Sequence, residues 1–159
     1  MAVEKFAGVK RIHTAFKNRG HASASYEIND DPVFQDYNSG LGFAYCLALT
    51  IRLFKKVGLN FEAPVCSTWV WLSRGNLLET VWILIDHKSI TPAKPRNLMV
   101  SRMCINLLVM CILRLCFVVE QPGSSILEEH PLFVWLCRHF RIYKAFIWMG
   151  SYGGCRDLA

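Results

Sequence analysis

The chain has 159 residues, 53% hydrophobic and 19% charged, with a formal net charge of +6 at pH 7. That length builds one domain around a single well-buried core and argues against a multidomain chain. The positive charge favours contact with phosphates or other anions, but Lys10, Arg11, Lys17, Arg19, Lys55 and Lys56 are scattered, which excludes a basic tail or arginine-rich arm.

In chain order, residues 3–7 suit a short first strand. After Gly8, the apolar residues Val9, Ile12, Ala15 and Phe16 recur at helical spacing, and Gly20 suits the position just past a helix end. Residues 22–28, ASASYEI, read as a second strand closed by Glu27, and Asn29-Asp30-Asp31-Pro32 is a turn. Residues 41–56 predict a helix with basic residues at its C-terminus. Residues 59–63 predict a third strand, which breaks at Pro64 into a loop carrying Cys66, Ser67, Thr68, Trp69, Trp71 and Arg74. Residues 76–89 read equally well as helix or strand. Pro92 and Pro95 precede a long helix over about residues 97–115, and CFVVE forms a fourth strand ending at Glu120. Ser125 and Glu128 have the spacing of a capping box for the next helix. Residues 143–148 complete the series as a fifth strand. Strands alternating with helices predict a parallel sheet covered on both faces.

The seven cysteines, Cys46, Cys66, Cys104, Cys111, Cys116, Cys137 and Cys155, form no C-x-x-C pair, so neither a disulfide scaffold nor a metal site is expected. Cys104, Cys111 and Cys116 share one apolar run and read as core filler. The opening MAVEKFAGVKR has no apolar h-region; without a secretory signal, an intracellular protein is expected. Residues 103–119 are almost wholly apolar, yet they fall short of the ~20 residues a bilayer core requires. They also contain Asn106 and Arg114, so a buried helix running into a buried strand fits better than a membrane span.

Three loops follow predicted strands: FAGVKR, EAPVCSTWVWLSR and EQPGSS. With Glu27 closing the second strand, the series resembles the S-adenosylmethionine-dependent methyltransferase fold, in the motif order of the cytosine-5 DNA methyltransferases. The wider pattern, from FAG through A-P-x-C-S-x-W and E-Q-P-x-S-S to W-M-G, is similar to methyltransferase-like proteins abundant in algal and dinoflagellate genomes. This resemblance spans nearly the whole chain.

It implies a three-layer Rossmann-like sheet of order 3-2-1-4-5, truncated at its C-terminus, with Gly8, Glu27, Cys66 and Glu120 along one edge. It also implies S-adenosylmethionine as cofactor, held by Phe6, Ala7, Gly8, Glu27 and Pro64. Glycine lets the backbone approach the ligand, the following helix N-terminus offers N–H groups, and Glu27 accepts from the ribose hydroxyls. Cys66 would be the nucleophile toward a nucleic-acid cytosine, and Glu120 would hold the base edge as an acid. The sequence lacks the family's arginine-rich strand, base-recognition domain and final strands, and it departs from the motifs themselves in three places. The first loop lacks a second glycine, Gln121 stands where asparagine follows the glutamate, and Val65 separates Pro64 from Cys66. Those departures leave open a second reading, a non-catalytic interaction module that keeps only the fold; a small membrane protein is a third.

Overall fold

The computed structural model describes residues 1–54, 58–65 and 93–147, except for the side chains of 93–96. Four strands, β1 (Ala2–Lys5), β2 (Ser23–Tyr26), β3 (Leu59–Glu62) and β4 (Cys116–Val119), form an all-parallel sheet. The helices among the described residues are α1 (Arg11–Asn18), α2 (Gly40–Phe54), α3 (Ala93–Ile112) and α4 (Pro131–His139), with a single 3-10 turn at Leu127–Glu129. The expected mixed α/β domain with a parallel sheet is what the chain forms.

The alternation of side chains along β1 assigns the layers. Glu4 reaches α1 by accepting the His13 N–H, whereas Lys5 bonds Thr50 of α2. Successive strand residues point to opposite faces, so α1 and α2 lie on opposite sides of the sheet. On the α2 side, Val3, Leu49, Leu53, Met99, Val100, Met103 and Leu107 form the main core, and Leu136 of α4 joins it.

The strand order is β2-β1-β3-β4, not 3-2-1-4-5. The expected order puts the third strand outside β2, but β3 pairs with β1, with Lys5 level with Glu62. These two residues form an ion pair with both side chains fully buried, and neither charge could be buried there without the other. β2, whose small residues Ser23, Ala24 and Ser25 are half-buried and only Tyr26 fully buried, takes the edge instead. The observed order is what 3-2-1-4-5 leaves when its outermost strand is removed, and residues 27–39, where that strand would arise, are turns and bends.

Residues 143–147 are not a strand. They lie outside the sheet and are exposed, and Trp148 falls outside the described residues. Apolar composition yields a strand only where a neighbour accepts the pairing; here Lys144 is drawn to Glu128 instead. The anticipated capping box is also absent. Glu128 is spent on that ion pair, the Ser125 hydroxyl donates to Gln121 and accepts from the Leu127 N–H, and α4 starts at Pro131, beyond both.

The first helix ends as its glycine predicts. Gly20 has φ +75°, its N–H donates to the Lys17 carbonyl, and the His21 N–H donates to Phe16. This is a Schellman closure, with Phe16 and His21 rings 5.9 Å apart supplying the usual flanking contact. The apolar run of residues 103–119 splits into the end of α3 and the whole of β4, turned at Arg114 (φ +53°). No described helix is long and apolar enough to cross a membrane.

Candidate functional site

In this sheet β1 connects outward to β2, and β3 connects in the opposite direction to β4. The neighbours β1 and β3 therefore flank a topological switch point, and open α/β sheets bind ligands in the crevice beyond the carboxyl ends of such strands. The loop after β1 holds Phe6, Ala7 and Gly8. The loop after β3 holds Pro64 and leads to Cys66, which lies outside the described residues, as does Arg74.

Hydrogen bonds tie the end of each strand to its neighbour, including the Ala63 N–H to the Lys5 carbonyl between β3 and β1. On one side the Gly8 N–H donates to Glu27 Oε2 at 2.9 Å, and the Ala7 N–H donates to the Tyr26 carbonyl. Gly8 has φ +45°, and a Cβ there would meet no other atom within 4 Å, so the turn presents bare backbone to open space. Phe6 and Lys10 also have φ +57°, a conformation unusual for residues with a Cβ. Phe6 stops β1 there, two residues short of the predicted end, and packs on Tyr37 at 4.9 Å between ring centroids. On the other side, Gln121 Nε2 donates to the Pro64 carbonyl at 2.8 Å, and the Glu120 N–H donates to Glu62. Glu120 itself is exposed just past β4. Gly8, Glu27, Pro64 and Glu120 thus all stand at the carboxyl edge of the sheet.

The first loop differs from a vacant cofactor cradle in that several of its polar groups are already engaged within the chain. The free N–H groups expected at the α1 N-terminus are partly used: the buried Glu4 carboxylate accepts from His13 at 2.7 Å. An anionic group thereby already sits on the positive end of the helix. Lys10 is paired with Asp30 at 2.6 Å. Glu27 also receives the N–H and side-chain amide of Asn29, leaving about one of its roughly four lone-pair sites for a further donor.

Beneath the switch point lies a polar cluster that sequence inspection missed. Glu62 Oε1 accepts from Lys5 at 3.2 Å, Asn60 at 2.7 Å and Asn106 at 2.6 Å. Lys5 also donates to Thr50, whose hydroxyl lies 2.7 Å from Asn106 Oδ1. Lys5, Thr50, Asn60, Glu62 and Asn106 are all fully buried. The cluster locks the ends of β1 and β3, on which the crevice loops are mounted. A polar residue interrupting each apolar run (Lys5, Thr50, Asn60, Asn106) was the available signal.

The cysteines divide by depth. Burial pushes the Cys46 thiol up and the Cys104 thiol up to about 12, which suppresses thiolate formation at neutral pH. Cys116, expected as filler, is exposed, because its strand face has no described helix over it. Brief alkylation with iodoacetamide at pH 7.5, read by mass spectrometry, should therefore modify Cys116 and spare Cys46 and Cys104 until the chain is denatured.

Among the described residues no three His, Cys, Asp or Glu side chains gather as a metal site. No protein-family model matches this chain, and no curated protein or solved structure matches it significantly.

Proposed function

We propose that the switch-point crevice binds S-adenosylmethionine, in a domain of methyltransferase type that acts on cytosine in nucleic acid. The observation carrying this reading is the Gly8–Glu27 contact, a bare glycine turn after β1 bonded to the acidic residue just past β2. It joins the backbone that would face the cofactor's chain to the carboxylate that would meet its ribose. When bound, the cofactor supplies an electrophilic methyl group. Cys66 is the proposed nucleophile, with Glu120 as the acid on the base edge.

Calorimetry with S-adenosylmethionine and its demethylated product tests the binding step. Glu27→Ala should weaken binding at least tenfold, about 1.4 kcal/mol, while the thermal midpoint stays close to wild type. No heat at millimolar ligand would end the reading. For the chemistry, Cys66→Ser should abolish the covalent adduct that an oligonucleotide containing 5-fluorocytosine forms with the wild type in the presence of S-adenosylmethionine, where methyl transfer to C5 leaves no proton for elimination of the thiolate.

Glu4 and Lys10 favour a second reading, a non-catalytic interaction module. Both positions that would meet an anionic ligand tail are satisfied within the chain. Silent calorimetry with an intact fold selects it.

A further inference from the structure

We propose that α4 and residues 140–147 form a binding surface for single-stranded nucleic acid. Residues 131–147 contain three arginine or lysine residues and no aspartate or glutamate. Phe133, Leu136 and Phe140 turn inward to the core. Trp135, Arg138 and His139, at helical spacings of three and four, are all exposed on the other face. His139 stacks on Trp135 with ring centroids 4.3 Å apart, and its Nδ1 lies 2.8 Å from the Trp135 carbonyl. The next residues continue the pattern: Arg141 is exposed, Tyr143 is 81% exposed and Phe146 74%.

Exposed aromatic rings alternating with cations match an unpaired strand. Its bases offer π-faces for stacking, and its phosphates meet the arginines; in a duplex those faces are buried in the stack. Glu128 and Glu129, just before α4, are the nearby acids that the charge count must include, and they leave residues 128–147 with three cations against two anions. Glu128 clasps Lys144 at 2.6 Å, so Arg138 and Arg141 are the cations that meet the phosphates. The Lys144 ammonium also lies 4.9 Å from the Phe146 ring centre, so one cation contacts both Glu128 and that ring. Tyr143, more exposed than Trp135 or Phe146, is the principal stacking platform.

This surface takes from the proposed function only that nucleic acid is the partner, and it is tested without cofactor, so either idea can fail alone. Fluorescence anisotropy with a labelled single strand of about 20 nucleotides, longer than the roughly 4–16 such sites cover, reads the affinity. The strand should bind more tightly than the matching duplex and weaken steeply with added salt. Arg138→Glu with Arg141→Glu should reduce affinity at least tenfold. Tyr143→Ala should reduce it about fivefold or more, through lost stacking. All three positions are exposed, and circular dichroism should show an unchanged fold. Absent binding, equal affinity for the duplex, indifference to these substitutions, or a preference for phosphatidylglycerol vesicles would each overturn the proposal.

Discussion

Lys5→Met should destabilise the domain by about 3–5 kcal/mol, enough to leave a marginally stable fold largely unfolded. The Glu62 carboxylate would remain fully buried with only two neutral amides on Oε1, while among the described residues Oε2 has no partner. Attraction in a low-dielectric interior offsets the cost of desolvating a charge only while both charges are present. Glu62→Gln should be damaging for the converse reason, since it strands the Lys5 ammonium. The double variant Lys5→Met with Glu62→Gln removes both charges and keeps an oxygen for Asn60 and Asn106. It should recover most of the loss, giving a coupling energy of several kcal/mol in a double-mutant cycle by urea denaturation. Additive losses would show that the pair contributes nothing as a pair.

The same pair explains which parts of the fold were legible in the sequence. The strands could be found because each is a short, largely apolar or β-prone run bounded by a turn residue. Their order could not, because it depends on Lys5 meeting Glu62 across 57 residues. Each residue alone reads as the polar end of a strand. Gly8 and Glu27 were recoverable as neighbours since parallel β1 and β2 bring both of their ends to one edge. Glu4 as an internal cap on α1 was hidden, because an acid within a strand gives no sign of which helix it will reach. Gln121 was noticed only as a departure from asparagine. Its amide ties the loops after β3 and β4 together by donating to the Pro64 carbonyl. Residues 143–147 have the composition of a strand and became an exposed segment, because pairing is decided by neighbours and not by the run itself.

Two glycines in the first turn of α2 should respond to alanine in opposite directions. Ser39 caps this helix: its hydroxyl accepts the Gly42 N–H at 2.8 Å and donates to the Asp36 carbonyl at 3.1 Å. The capping turn folds back so closely that a Cβ on Gly42 would collide with the Asp36 carbonyl oxygen, and would lie 2.7 Å from its carbon. Backbone cannot swing away as a flexible side chain can, so Gly42→Ala has to open the Asp36–Ser39 turn. That turn also supplies the Ser39 carbonyl, one of two that Arg102 of α3 grips, at 2.7 Å, so the damage extends to the α2–α3 contact. A loss of about 1–3 kcal/mol or more is expected, from overpacking together with the weakened cap. At Gly40, two residues earlier, a Cβ would meet no other atom within 4 Å, and φ lies outside the left-handed region. Gly40→Ala should stabilise by about 0.4–1 kcal/mol by restricting the unfolded chain. Thermal melts of the two variants should therefore move to either side of the wild type. A Gly42→Ala protein as stable as Gly40→Ala would mean that the capping turn does not hold this geometry in solution.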